Sequence, residues 1–429
     1  MILGTKQTRH SFNDIDARVC TLCGACASIC PLGVIAFGDE RAYLQGECIS
    51  CGLCYRFCPG REMDFDALSR THLGSPAQDS LLGYYRFLGV GQANSEEIRQ
   101  RGASGGVVTA LLIYLMEEGI IKGALAVTMS DERPWQCQAS LLTSAREVKG
   151  AAQSKYTLVS LDALLGKARK EEGPFAVVGL PCHVHGLRRL QRLGSFREKF
   201  PLVIGLFCGL NLRPAATEYL VHRLGFEKEE VAQLEYRGGS WPGGFLVRSR
   251  DGRQGFIPKD WYTYVNLMYI PHRCLTCPDL TNELADISVG DMWLEEYTGG
   301  WSTIIGRSPR GEDILKEAAR KDIIRIDEIS RNHILRSHAH LFAYKKEGYF
   351  VRQRWLRVPL NYALQRPSIG KRRWLQESLL LALILILSNS LIRGLVQRLP
   401  LAWLGRLSSW GRKGAKLSAY RRKGMEKEL

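Results

Sequence analysis

Apolar positions along this chain fall into short runs. Tyr84–Val90 reads as a strand, Ile121–Met129 as a buried strand that is near-continuously apolar from Ala124, and Phe175–Gly179 and Leu202–Leu206 as two more. Runs without polar alternation suit strands covered on both faces. Helical stretches lie between them. Ser95 with Glu96 and Glu97 opens a short helix, and Arg101–Met116 is a glycine-rich turn that feeds a long apolar helix. This alternation predicts an α/β domain. A glycine-rich segment, Tyr236–Phe245, then leads into a β-rich section that ends near Ile257. Asp66–Ser80 reads as a polar connector with Gly74 and Pro76 as breakers.

The last sixty residues follow another pattern. Ser378–Ile392 is uncharged and flanked by Lys371–Arg373 and Arg393, too short a run to cross a bilayer that needs about 20 apolar residues. Leu395–Trp410 sets Leu and Trp on an arginine-spaced background, as an interfacial helix does. Two outcomes are open: a surface anchor on the membrane, or a helical hairpin packed on the core or a partner.

Charge sharpens that picture. The formal net charge is +16, but residues 371–429 hold thirteen Lys/Arg against three Glu, which leaves only +6 for the first 370 residues. Basic clusters beside apolar helices attract anionic headgroups. No nucleic-acid reading motif accompanies the charge, so nucleic acid is not expected as a partner. The first nineteen residues lack an apolar signal region, and thirteen cysteines then point to metal in a reducing compartment rather than to disulfides. The expected location is cytoplasmic, or peripheral on the inner face of the membrane.

The cysteines are patterned. Cys20, Cys23, Cys26 and Cys30 stand in C-x2-C-x2-C-x3-C spacing before Pro31, and Cys48, Cys51, Cys54 and Cys58 repeat it before Pro59. Three closely spaced thiolates reach the corners of one 4Fe-4S cube while the fourth reaches the neighbouring cube. The ligand sets are therefore crossed: Cys20, Cys23, Cys26 and Cys58 for one cluster, and Cys48, Cys51, Cys54 and Cys30 for the other. Paired zinc sites would leave the doubled Cys-Pro ending unexplained. This part resembles bacterial two-cluster ferredoxins, with their internal repeat.

A second group is less specific. Cys182 and Cys208 each follow an apolar strand, at the edge where open α/β sheets place their sites, and Cys274 and Cys277 form a C-x2-C pair. By themselves they read equally as buried thiols and half a zinc site. Gly105–Gly106 at a helix start either seats a phosphate or permits a close helix–strand crossing.

The order Gly-Gly-Val-Val-Thr (105–109), Lys-Tyr-Thr (155–157), Gly-Leu-Pro-Cys-His (179–183), Leu-Phe-Cys (206–208), Arg-Cys-Leu-Thr-Cys (273–277), Ala-Asp-Ile-Ser-Val-Gly-Asp (285–291) and Gly-Trp-Ser-Thr (300–303) resembles the family of beta subunits of coenzyme F-420 (deazaflavin) hydrogenases and dehydrogenases. The resemblance implies FAD and a third 4Fe-4S cluster in the core. It implies Cys182, Cys208, Cys274 and Cys277 as ligands of that cluster, and Ser104, Gly105, Gly106, Thr109, Lys155 and Thr157 at the flavin. Many relatives have Thr-Pro-Cys-Gln where this chain has Leu180-Pro-Cys-His183, which puts local substrate or flavin contacts in doubt. His183 is a candidate catalytic residue, although a packed histidine is the commoner reading; His185 is a weaker one. Asp286 and Asp291 read as helix caps or turn formers, and Cys137 as a core thiol.

The expected architecture is a multidomain α+β and α/β chain. A ferredoxin-like module (1–66) is followed by a connector (67–100), an α/β flavin-binding core (101–340) and a basic, apolar helical tail (341–429). The expected activity is that of an oxidoreductase converting one-electron transfer through clusters into two-electron chemistry at FAD. Its partners would be ferredoxin or another electron-carrier protein, with deazaflavin coenzyme or an organic substrate. The alternatives are a ferredoxin-dependent reductase of an unsaturated substrate such as a chlorophyll-type pigment, and an electron-transfer subunit with no substrate of its own.

Overall fold

A computed structural model describes residues 10–422. Its centre is an eight-stranded mixed sheet. In chain order the strands are β1 (Phe87–Ala93), β2 (Gly123–Met129), β3 (Cys137–Leu142), β4 (Phe175–Gly179), β5 (Leu202–Leu206), β6 (Ile287–Asp291), β7 (Ser302–Gly306) and β8 (Ile324–Glu328). They lie side by side as β8-β1-β7-β6-β5-β4-β2-β3. β2, β4, β5 and β6 are mutually parallel, and antiparallel strands close both flanks. β4 is buried at every position, as its uninterrupted apolar run requires. Two cores sandwich the sheet. One gathers the apolar helix α1 (Val107–Glu117) over Ala124, Ile204 and Ile304; the other gathers α2 (Pro181–Leu190) over Leu125, Val177 and Val203.

The strand expected at Tyr84–Val90 is observed three residues later, and it is internal. It pairs with β7 on one side and β8 on the other, and Gly91 admits the β8 backbone, since a Cβ there would lie 2.4 Å from the Arg325 carbonyl oxygen. Residues 67–100, expected as a connector, thus supply a strand of the main sheet. They also carry most of a helix, Phe65–Leu73, where a polar linker was expected. Asp64 caps that helix by accepting the Ala67 N–H at 2.9 Å, and Phe65, Leu68 and Leu73 bury one face. Polar residues between those three hid the periodicity.

The N-terminal module is a small pseudo-repeat. Short helices Ala25–Ile29 and Leu53–Phe57 each follow a glycine in the left-handed region (Gly24 at φ 102°, Gly52 at φ 73°). The module is tied to the core through both halves. The Asp162 N–H donates to the Cys23 carbonyl at 2.7 Å, the Gly166 N–H donates to Ser28 Oγ at 2.8 Å, and Arg189 on α2 donates to the Glu62 carbonyl at 2.8 Å. A three-stranded antiparallel sheet (Val231–Gly238, Gly244–Ser249, Gln254–Pro258) covers another side of the core.

The tail forms α3 (Lys371–Ser388), α4 (Ser390–Gln397) and α5 (Leu401–Arg422), with a bend of 82° between α3 and α4. One face packs inward. Leu381 and Ile384 join Ile270 and Leu275, Leu404 joins the core beneath the three-stranded sheet, and Glu377 is buried against Arg352 and Arg373. The other face exposes Leu375, Leu379, Leu391, Leu395, Trp403 and Trp410. Among the described residues no single helix is long and apolar enough to cross a membrane, although the bent α3–α4 pair qualifies by length and composition taken together.

Candidate functional site

Two cavities in the N-terminal module sort its cysteines. One, of about 420 Å³, is lined by Cys20, Cys23, Cys26 and Cys58; the other, of about 20 Å³, is lined by Cys30, Cys48, Cys51 and Cys54. The chain therefore gathers its thiols in crossed sets. The electrostatic neighbours agree for the most part: Cys20 and Cys58 act on Cys26, and Cys48, Cys51 and Cys30 act on Cys54. Burial pushes the Cys26 thiol up, and the Cys54 thiol up to about 11. Thiols in such surroundings ionise only against compensating positive charge, which suits an iron-sulfur core.

The four core cysteines also come together, from three separate segments. Cys182 sits in the first turn of α2, Cys208 just past β5, and Cys274 and Cys277 in and after the short helix His272–Thr276. Cys208, Cys274 and Cys277 all act on the Cys182 thiol, which burial drives well up. Burial pushes Cys208 to about 12. Among the described residues, no three His, Cys, Asp or Glu side chains converge on a single metal ion. Beside the thiols lies buried Lys345; burial disfavours its charge, but Cys277, Cys208 and Cys274 outweigh that and raise its pKa.

Asp162 stands between the module and the core. It is fully buried, and burial holds its carboxyl well above the usual range. A Cβ placed on Gly186 of α2 would lie 2.2 Å from Asp162 Oδ2 and 3.0 Å from Cys23 Sγ, so the module approaches the helix that carries Cys182 at near contact. Asp162 acts on both Cys23 and Cys182.

On the far side of Cys208 a cavity of about 1230 Å³ opens, with Ser104, Gly106, Thr109, Lys155, Thr157 and His183 in its wall. The glycine turn is held against the sheet: Ser302 Oγ accepts the Gly105 N–H at 3.0 Å, and the Gly105 carbonyl accepts the Ala93 N–H at 2.7 Å. A Cβ on Gly105 would lie 2.4 Å from the Gly91 carbonyl oxygen, so the close crossing is real. Gly106, at φ 72°, starts α1 with the first N–H groups of an eleven-residue helix at the cavity. The two readings of this turn are therefore compatible. Lys155 Nζ donates to the carbonyls of Ala151, Ala152 and Gln153, and burial lowers its pKa to about 8.

Among the other sequence candidates, His183 is held by main chain. Its Nδ1 accepts the Leu180 N–H at 3.2 Å and its Nε2 faces the Val159 carbonyl at 2.9 Å, and burial lowers its pKa to about 4. With one nitrogen accepting and the other donating, the ring is neutral and caps the start of α2. His185 pairs with buried Asp279 at 2.9 Å. Cys137 packs partly buried at the edge of the core, beside Met129. Asp286 and Asp291 are not the caps or turn formers expected. Asp286 accepts from Arg188 at 3.0 Å and from the Val203 N–H at 2.8 Å; Asp291 accepts from Arg237 at 2.9 Å beside Lys259. Each ends in a buried arginine contact, Asp286 just before β6 and Asp291 at its last residue. Lys345, Asp162 and the tail residues that line the cavity had no local signal in the sequence.

The sequence matches the N-terminal (residues 89–166) and C-terminal (residues 173–332) models described as coenzyme F420 hydrogenase/dehydrogenase, beta subunit, and a 4Fe-4S dicluster domain over residues 12–59. It is 30% identical over 375 residues to a coenzyme F420-dependent sulfite reductase of Methanocaldococcus jannaschii, covering 83% of this chain and 54% of that protein, so the chain spans about half of that relative. It is 29% identical to a coenzyme F420 hydrogenase subunit beta of Methanothermobacter thermautotrophicus (57% of this chain, 84% of that one). It is 28% identical to the corresponding hydrogenase subunit beta of Methanococcus voltae (65% and 99%). The fold is similar to a chain of the F420-reducing [NiFe] hydrogenase complex from Methanosarcina barkeri, with a TM-score of 0.52 at 22% identity over 67% of this chain and 98% of that one.

Proposed function

The chain belongs to the family of coenzyme F420 hydrogenase/dehydrogenase beta subunits, and from that premise we propose that it is an iron-sulfur flavoprotein oxidoreductase that joins one-electron and two-electron chemistry. The observation that carries this reading is the succession of sites. The thiols with exposed Cys51 lie outermost in the module, those with Cys23 lie against α2, the four core cysteines follow, and Cys208 borders the large cavity. That is the order a wire from surface to cavity would have.

In this reading the two crossed sets each hold a 4Fe-4S cluster, and Cys182, Cys208, Cys274 and Cys277 hold a third. FAD bound in the cavity would supply the two-electron, hydride-level step. The cavity walls fit it in chemical type. N–H groups at the start of α1 and the Lys155 ammonium favour an anionic group such as a pyrophosphate, and Ser104, Thr109 and Thr157 offer hydroxyls. His183 serves in structure, as a neutral cap, with no proton to give at neutral pH.

Deazaflavin coenzyme is the first expected reductant or product, on the names of the relatives; a reducible organic substrate is the second. The partner would be ferredoxin, another carrier or a further subunit, meeting the module near Cys51. The exposed apolar and basic face of α3–α5 favours peripheral attachment to a membrane surface. The test is anaerobic purification or reconstitution of the full chain with iron and flavin counted and each donor tried. About twelve irons for three cubes and one FAD are expected. Eight irons would remove the third cluster, and a chain that binds no flavin would end the proposal.

A further inference from the structure

We propose that the large cavity takes a membrane-dissolved substrate, with a polar head beside the glycine turn and an apolar chain threaded between the tail helices. This rests on the reading of the same cavity as a flavin site. At about 1230 Å³ the cavity exceeds the roughly 300–1,000 Å³ that one drug-sized ligand needs, so it has room for a second molecule. Its two ends differ in chemistry. One carries Ser104, Lys155, Thr157 and Asn211; the other is built by the tail, from Leu383, Leu387, Val396, Leu399, Leu404 and Leu407.

The apolar end also reaches the outside. Leu383 and Leu407 line the cavity and are 44% and 65% exposed, so the opening passes between α3 and α5. The same tail helices also expose Leu379, Leu395 and Trp403 together with Lys371, Arg372, Arg398 and Arg406, the composition of a surface that lies in anionic headgroups. A leucine-lined opening favours an alkyl chain, which gains about fourfold in affinity for each methylene it buries. The tail thus joins a bilayer surface to the site of chemistry.

The experiment uses the full-chain holoprotein, oxidised and anaerobic, with flavin and iron counted first. It is titrated with fully substituted 1,4-benzoquinones bearing a two-carbon or a ten-carbon alkyl chain, and quenching of tryptophan fluorescence is read, since Trp293 and Trp410 line the cavity. The longer probe is expected to bind at least about 100-fold more tightly. Leu383→Trp, which fills the apolar end, and Leu407→Glu, which charges its opening, should each cut that ratio below about tenfold. Leu379→Ser, on the same helix but outside the wall, should leave it unchanged. Equal affinities for the two probes, or a ratio preserved in both wall variants, would overturn the proposal. The flavin count is read separately, so a protein without flavin would end the flavoprotein reading whatever the ratio is.

Discussion

Lys345→Met puts the third cluster to a quantitative test. The Lys345 side chain is 1% exposed, and its strongest favourable neighbours are Cys277, Cys208 and Cys274. A cluster on those thiolates would gain its electron beside a fixed cation. At an effective dielectric of about 20, a unit charge about 5–7 Å from an added electron stabilises it by ~2–3 kcal/mol. Taking 59 mV per factor of ten for a one-electron couple, that is ~100–140 mV. Methionine keeps the apolar stem and removes the charge, so one midpoint potential should fall by about that amount while the two module clusters keep theirs. An anaerobic redox titration followed by electron paramagnetic resonance reads all the couples in one sample, and the iron count shows whether the cluster survived. Potentials all within about 20 mV of the parent at full iron content would refute the placement, as would a shift confined to a module cluster.

Three further outcomes follow from the same geometry. Cys58→Ser should disturb the same cluster signal as Cys23→Ser, and Cys30→Ser the same signal as Cys51→Ser; pairing of each variant with its own repeat instead would mean that the sets are not crossed. Lys155, with its pKa lowered to about 8 by burial, is cationic below that value and neutral above it, so affinity for FAD should weaken as pH rises through about 8. Lys155→Met should bind weakly and lose that dependence, as measured by flavin fluorescence on titration of the apoprotein. Leu391, Leu395 and Trp403 are all more than half exposed, so replacing all three by serine should remove the chain from anionic vesicles in a flotation assay by about 100-fold or more in partition.

What the sequence disclosed depended on whether partners were close along the chain. The module's thiols lie within 39 residues and carry a repeat, so their crossed grouping could be derived from spacing alone. The parallel strands were visible as apolar runs, because burial on both faces removes the polar alternation. Cys182, Cys208 and the Cys274–Cys277 pair come from distant segments, and only the crossovers of an α/β sheet bring them together. Lys345 sits 68 positions beyond Cys277 in a helical stretch of ordinary composition, and nothing local marks it. β1 was read three residues early, ending at Val90, because Gly91 looks like a breaker; in the sheet its missing side chain leaves room for the Arg325 carbonyl oxygen of the neighbouring strand. The tail's hydrophobicity was evident, but not that its inner face would finish the wall of a cavity whose polar end lies near residue 104.

The buried contact of Glu377 with Arg352 and Arg373 makes the tail part of the folding unit. Arg352 is fully buried, with its guanidinium also donating to the Leu275 and Tyr344 carbonyls, and Glu377 supplies its one buried carboxylate. Loss of α3 after a nick before Lys371 would leave that cation without its carboxylate, and an uncompensated buried charge costs about 3–5 kcal/mol. A large part of a domain's net stability of ~5–15 kcal/mol rides on that one helix staying docked. The cleaved protein should therefore melt as a weakened whole rather than shed a spare anchor, and any partner that pried α3 loose would also slacken the segment that carries Cys274 and Cys277.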